Sequence, residues 1–421
     1  MKILTTLNKV NFRLLNSKLR KAEIARNFED MKALFSVVWT EFEHEPKLED
    51  CSFDEGAEFT RLAGVFLILY GKAKNLPSYQ LRGKDLLSKA IDYFFELNEL
   101  EKAIESKILI ATGYYQEGAV EEKQAILEDA LSYFEKEPEH PLALLVHVNL
   151  LIVEIKKDQL KRAMKRMGEI IGLITTSPDN KLKTQFYTQR GVIFRLRKDY
   201  TESIASYTLA LEFAKKIPNL QFEALIKNSL AMTYLDDQNL DLAMRFVDKA
   251  IELLSDEIGW RANFYDTKAN IYLALKDFDN AILYAEHSVS ILAKGEDYGS
   301  YAESLWTKVQ ALIQLNFQTE AIETFTELYK ISLKWISEQT ADSYLQKFNG
   351  MIYLIPQGDY FEKVALYKKH LVIESLIKHP NKKIDAARNL GIKRQTLDDI
   401  LDNQFPELLE DFELFKRKRS H

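Results

Sequence analysis

The chain has 421 residues and a net charge of −6, with only 15 Gly, 9 Pro and 1 Cys. So few turn-forming residues exclude a turn-rich all-β protein, the single Cys51 excludes an internal disulfide and fits a reducing compartment, and the length exceeds what one compact core usually fills. Residues 1–19 lack an uninterrupted apolar core before a small-residue cleavage site, and the most apolar stretches, 62–70 and 142–155, are too short or too interrupted to span a bilayer. The expectation is a cytoplasmic protein with no membrane partner.

Taken in chain order, residues 1–45 predict one or two capping helices with an apolar stripe of Phe28, Met31, Phe35, Val38 and Phe42, followed by a polar loop over 47–55. A first hairpin follows at 58–74 and 82–97, split by a turn at 75–78. Further hairpins are expected at about 101–137, 141–175, 183–217, 221–255, 261–294 and 301–336, with Pro138, Pro141, Pro178 and Pro218 between them, where proline costs no helical hydrogen bond. Each second helix opens at Gly83, Lys123, Ala163, Ser203, Ala243, Ala281 or Ala321, in steps of 40, 40, 40, 40, 38 and 40. Four residues on stand Leu87, Leu127, Met167, Tyr207, Val247, Ala285 and Phe325. Three further on stand Ala90, Ala130, Ile170, Ala210, Ala250, Ser288 and Leu328. Type and spacing agree over three columns, so one hairpin is a unit of a stack. A further first helix is expected at 340–355 and a long closing helix at 360–379.

The first helices pair a small residue with an aromatic one three positions on: Gly191 with Phe194, Ala231 with Tyr234, Ala269 with Tyr272, Ala111 with Tyr114. With the turns Asp199–Tyr200 and Asp277–Phe278 and the alanine opening the second helix, this resembles a tetratricopeptide repeat array. The period near forty exceeds that family's 34 and also suits HEAT-type units, but the turn chemistry favours the tetratricopeptide pattern. Leu151 and Val309 fit the small-residue column poorly. The extra residues read as one added turn per hairpin, with helices of roughly 17 residues, about 25 Å long.

From Lys363 to His421 there are 13 Lys and Arg against 9 Asp and Glu, a local +4 that leaves −10 on the rest. Within this piece, Asn381, Ala386 and Ala387, Leu390 to Ile392, and Arg394, Thr396 and Leu397 stand in the order of a Fis-type helix-turn-helix, which the segment resembles over about 30 residues. The resemblance implies DNA binding. On it, Lys393, Arg394, Gln395 and Thr396 occupy the first turn of the reading helix, and Lys382, Lys383 and Arg388 meet phosphate. Asp398 and Asp399 stand where the family usually carries basic residues; Asp398 either accepts from a cytosine amine or repels the backbone. The tail 416–419 adds four positive charges.

No helical zinc signature, phosphate-cradling glycine loop or nucleophile elbow occurs, so neither an enzyme nor a cofactor or metal site is expected. The expected architecture is an all-α, right-handed solenoid of about seven to eight units with no sheet, spanning 56–358 between the 1–55 cap and a helix-turn-helix at 359–421. Two functions follow: a ligand- or peptide-responsive transcriptional regulator that reads DNA, or an adaptor that binds a protein and uses its terminal helices as a cap. Peptide-sensing regulators of Gram-positive bacteria resemble the first in architecture, although they carry the DNA-binding part at the N-terminus. A concave groove lined by first helices would present Gln185, Thr188, Gln189, Asn228, Asn263, Asp266, Asn270, Trp306 and Gln310 to a peptide backbone. A homodimer is expected, with Leu371, Leu376, Leu408, Leu409 and Phe412 as its interface.

Overall fold

The computed structural model describes residues 5–6, 9–42, 44–46, 48, 51–116, 120–295, 297–352, 369, 371–373, 375–376, 379, 382–406 and 408. An antiparallel bridge between β1 (Thr5–Thr6) and β2 (Lys9–Val10) departs from the expectation of no sheet. It precedes the first helix and belongs to no hairpin. The cap is α1 (Phe12–Ala25) and α2 (Phe28–Phe35), whose N-cap residues Asn11 and Asn27 accept from the Leu14 and Asp30 N–H groups. Phe28, Met31, Phe35 and Phe42 are buried against the first hairpin, with the Phe35 ring edge-on to Phe59 at 5.3 Å.

That hairpin is α3 (Phe53–Lys74) and α4 (Pro77–Glu96). Both start earlier than predicted. Glu55 reaches back to accept from the Ser52 N–H at 3.3 Å, a Ser-x-x-Glu start signal inside the supposed loop, and Pro77 occupies N1, where its missing N–H is harmless. The following hairpins are α5 (Leu100–Gln116) with α6 (Val120–Ser132), α7 (Pro141–Lys156) with α8 (Leu160–Thr176), α9 (Asn180–Leu196) with α10 (Tyr200–Ala214), and α11 (Leu220–Asp236) with α12 (Leu240–Leu253). The last are α13 (Ile258–Leu275) with α14 (Phe278–Leu292) and α15 (Tyr298–Gln314) with α16 (Gln318–Ile331). A π turn, Ser332–Ile336, leads to α17 (Glu338–Ile352). Each helix packs on its hairpin partner and on the next unit, and first helices pack on first helices from α3 to α17. The molecule is therefore a tetratricopeptide-like solenoid.

Every residue of the three second-helix columns is buried. Leu151 and Val309, the poor fits, are fully buried too and fill their spaces with bulk instead of close approach. The hairpin turns explain why the sequence carries so little glycine there. Asp158, Lys198, Gln238, Lys276 and Asn316, in steps of 40, 40, 38 and 40, adopt a left-handed conformation with φ of 55° to 63°. Each is followed by the N-cap position, where Asp199, Asn239 and Asp277 accept from the N–H three residues on. Left-handed non-glycine residues cost about 1–2 kcal/mol each, offset here by a cap and the packing of the whole hairpin.

At the C-terminus, α18 (Lys383–Asn389) and α19 (Arg394–Asn403) are joined through Gly391 at φ 68°. Ala386, Ala387, Leu397 and Leu401 are buried in one core with the last hairpin and α17, and the Ser375 hydroxyl donates to the Ala386 carbonyl at 2.7 Å. Leu376 and Leu408, expected at a dimer interface, are buried in that same core, and Leu371 is partly buried. Apolar side chains that close their own chain's core are not available to a second copy. Leu409, Phe412, the tail 416–419 and most of the predicted helix 360–379 lie outside the described residues.

Candidate functional site

The nine polar groove candidates fall in register. Thr188, Asn228, Asp266 and Trp306 hold one position on α9, α11, α13 and α15, in steps of 40, 38 and 40. Gln185 and Asn263 share a neighbouring column with Glu303, Asn270 shares a third with Gln310, and Gln189 shares a fourth with Thr307. Successive first helices pack side by side, so the Thr188 and Gln189 columns run as a polar stripe across the units, while Leu225 interrupts the second column and Val192 and Met232 make the third apolar on α9 and α11.

Their side chains do different things. The Thr188 hydroxyl donates to the Thr184 carbonyl of its own helix at 2.7 Å. Asn228 is 9% exposed and its Oδ1 is buried without a partner, as are Gln185 Oε1 and Asn263 Oδ1. Gln310 Nε2 reaches back to the Trp306 carbonyl at 3.4 Å, and the Trp306 ring stands 5.6 Å from that of Tyr344.

Asp266 is the centre of a network that the sequence reading missed. Thr307 Oγ1 lies 2.9 Å from Asp266 Oδ1, while Asn270 Nδ2 donates to Asp266 Oδ2 at 3.1 Å and to Thr307 Oγ1 at 3.1 Å. These bonds tie α13 to α15. Burial pushes the Asp266 carboxyl up to about 7; hydrogen bonds from Thr307, Ser304 and Asn270 oppose this, and the Glu303 charge adds to it. Burial and the same two carboxylates raise the Tyr344 phenol. Asn270, read from sequence as free to bind a ligand, is thus part of the scaffold. Thr307 was identifiable from its register with Gln189.

This gives a signed pH dependence. An unfolded aspartate titrates near 3.9, so with a folded value of about 7 the folded chain holds its proton while the unfolded chain loses it. Stability contributed at this site is present below about pH 4 and is lost as pH rises toward 7. Amide-exchange protection of α13 and α15 should therefore be lower at pH 8 than at pH 5. In Asp266→Asn the difference between the two should shrink; an unchanged difference would place the titration elsewhere.

At the C-terminal helix pair, Lys382, Arg388, Lys393, Arg394, Gln395 and Thr396 are exposed. The structure adds a third role for Asp398: it accepts from Lys383 Nζ at 2.9 Å and lies 3.6 Å from Arg394 Nε. Arg388 pairs with Asp385 at 3.1 Å. Among the described residues no group of His, Cys, Asp and Glu is placed to hold a metal, and no helix is long and apolar enough to cross a membrane. A separate cavity of about 360 Å³ between α16 and the C-terminal segment is lined by Ile322, Glu327, Lys330, Ile373 and Leu408 among others.

A tetratricopeptide repeat model matches residues 262–291, within α13 and α14. No curated protein matches the chain. Solved structures similar in fold include NprR in complex with its cognate peptide NprX, at 16% identity over 67% of this chain and 78% of that one with a TM-score of 0.52. The apo form of the quorum sensor NprR from B. thuringiensis gives 14% identity over 76% and 87%, with a TM-score of 0.52. A Rap protein complexed with Competence and Sporulation Factor covers 97% of this chain and 98% of that one at 14% identity, with a TM-score of 0.51.

Proposed function

We propose that the chain is a non-catalytic, peptide-responsive regulator in which the first helices of the solenoid hold an extended peptide and the C-terminal helix pair contacts duplex DNA. The observation that carries the peptide half is the set of buried amide oxygens on Gln185, Asn228 and Asn263 that have no partner. A buried polar group left open costs about 1–3 kcal/mol, and these three stand on three successive first helices, with Asn228 one column along from Gln185 and Asn263. A peptide backbone, offering N–H and C=O alternately, satisfies such an amide in either orientation. The fold shared with NprR and Rap adds an analogy of architecture.

The DNA half rests on the exposed first turn of α19, where Lys393, Arg394, Gln395 and Thr396 stand clear of the core. A second reading, an adaptor that binds a protein and uses these helices as a cap, draws on the ion pairs that Asp398 makes with Lys383 and Arg394. A DNA reader of this size acts as a dimer, with two copies about 34 Å apart, and its interface must avoid the buried Leu376 and Leu408.

One experiment addresses both halves. Short peptides selected from a random library on the wild-type protein are titrated against Asn228→Ala, where affinity should fall about three- to tenfold, the equivalent of about 0.5–1.5 kcal/mol for one hydrogen bond. The melting temperature should hold, because the deleted oxygen makes no bond in the free protein. Duplex mobility is then followed across a salt series with and without the peptide. A salt-dependent shift that Arg394→Ala weakens supports the regulator; no shift even at low salt leaves the adaptor.

A further inference from the structure

The solenoid touches itself across a sequence distance that stacking does not explain. The end of α3 and the end of α1 meet the start of α13, the last turn of α14 and the turn before α15. Lys72 Nζ donates to Asp297 Oδ2 at 2.8 Å, Asn75 Nδ2 donates to the Ile291 carbonyl at 2.6 Å, Lys74 Nζ donates to the Asp256 carbonyl at 3.2 Å, and Arg26 Nη2 donates to Glu257 Oε2 at 3.3 Å. The partners lie 182 to 231 residues apart. The Trp260 ring takes the Arg26 guanidinium at 5.8 Å and the Lys72 ammonium at 5.5 Å. Backbone contact is just as close: a Cβ on Gly259 would stand 1.8 Å from the Lys72 carbonyl oxygen.

Two features separate this contact from those between neighbouring hairpins. It is polar: the buried apolar clusters of the first hairpin do not extend to α13, so what holds the two sides is two ion pairs, two further hydrogen bonds and the faces of one indole. It also joins first helix to first helix, α3 to α13, so the stack from the first unit to the sixth closes on itself with the groove columns of α9, α11 and α13 inside the closed arc.

We propose that this contact is a polar clasp that gates the groove: while it is shut, a peptide must thread from an open end, and when it parts the groove is open along its side. The gating rests on the groove reading above. Apolar interfaces between hairpins cannot part without exposing core, whereas charged and amide groups recover water as they separate, so the clasp is the contact of the solenoid that opens at least cost. Burial acts on its charges from both sides. The Arg26 guanidinium is lowered to about 10, first by burial and against the attraction of Glu257. Asp297 is lowered despite its burial, by Lys72 and by bonds from Ser300.

Gly259→Ala is a selective probe. Alanine in the first turn of α13 raises helix propensity, so the local fold gains, while its methyl cannot coexist with the Lys72 carbonyl and must force the clasp apart. In the full chain carrying Cys51→Ser, spin labels at the exposed positions Lys32 and Ser255 report the distance across the clasp. A single cysteine at Gln189 in a second sample reports groove access by its rate of reaction with a polymer-linked maleimide. Gly259→Ala should lengthen the label distance and raise the thiol rate at least about tenfold, since the rate scales with the open fraction, with helix content kept by circular dichroism. Lys72→Gln with Asp297→Asn should act in the same direction without adding bulk. An unchanged distance in both variants overturns the clasp, and a longer distance with an unchanged thiol rate overturns the gating. If the thiol rate rises while no peptide is selected on the wild-type chain, the peptide reading fails and the clasp stands.

Discussion

Gly64→Val is expected to separate α3 from α4 and to be among the most disruptive single substitutions in the chain. Where these helices cross, a Cβ on Gly64 would stand 2.8 Å from the Gly83 carbonyl oxygen, and one on Gly83 would stand 2.7 Å from the Gly64 carbonyl oxygen. Leu87 Cγ and Ile68 Cγ1 stand equally close, but the backbone collisions beside them are ones that no rotamer change relieves. Overpacking of this kind costs about 1–3 kcal/mol and occasionally more, and valine should lie beyond that range, with Gly64→Ala inside it. Helix propensity works the other way, since alanine in place of glycine gains about 1 kcal/mol in an open helix. Gly168 supplies the control: nothing lies within 4 Å of its Cβ position, so Gly168→Ala should stabilise α8 by about that amount. Repeat stacks lose units in sequence instead of all at once, so the comparison is best made by amide exchange, which should show lost protection in α3 and α4 for Gly64→Val and gained protection in α8 for Gly168→Ala. Equal effects at the two glycines would mean that the crossing is not as close as described.

The contrast between those glycines was invisible in sequence, and the reason is physical. Column positions such as Ala163, Tyr207 and Ala250 recur at a fixed spacing because each hairpin meets the next in the same way, so the repeat is written locally and can be read locally. Element starts at Phe53 and Pro77 were carried by local signals as well, the Ser52 to Glu55 start and the N1 proline, but polar composition outweighed them. What could not be read is whatever depends on how far the superhelix turns. The meeting of Lys72 with Asp297 is a sum of small rotations over five units, with no local pattern, and Gly259 looks like any glycine in a helix. The groove was legible as a set of amides; the division among them was not. Asn228 and Asn270 are the same residue type on neighbouring first helices, yet one has an open buried oxygen and the other braces Asp266 against Thr307. Asp398 was read against an absent phosphate, whereas the nearest cations are Lys383 and Arg394 of its own chain.

The other large effect is expected at Arg61, where replacement by methionine should release the cap from the solenoid. The Arg61 side chain is 1% exposed, and its guanidinium donates to Glu23 at 3.0 and 3.3 Å and to Glu58 at 3.1 and 3.3 Å, so it joins α1 to α3 through two carboxylates. Burial alone would lower its pKa, but Glu23, Glu58 and Glu105 together raise it; Glu58 is lowered in turn, against its own burial, by Arg20 and Arg61. Removing one member of such a group strands the rest, at a cost of about 3–5 kcal/mol. Methionine keeps most of the stem volume, so the loss reports charge more than packing. Arg61→Lys should recover only part of it, because one ammonium cannot hold two carboxylates in forked geometry. The sign with pH is a further check. In the wild type the lowered Glu58 contributes stability that is present above its unfolded value, near 4.3, and is lost as pH falls through the folded value. In Arg61→Met only Arg20 is left to lower Glu58, so that contribution is reduced, and the gap between variant and wild type should be widest near pH 7 and narrow toward pH 4. Exchange protection of α1 and α2, measured at both pH values, reads the gap directly; a gap that stays constant with pH would mean that Arg61 holds the cap by packing and not by its charge.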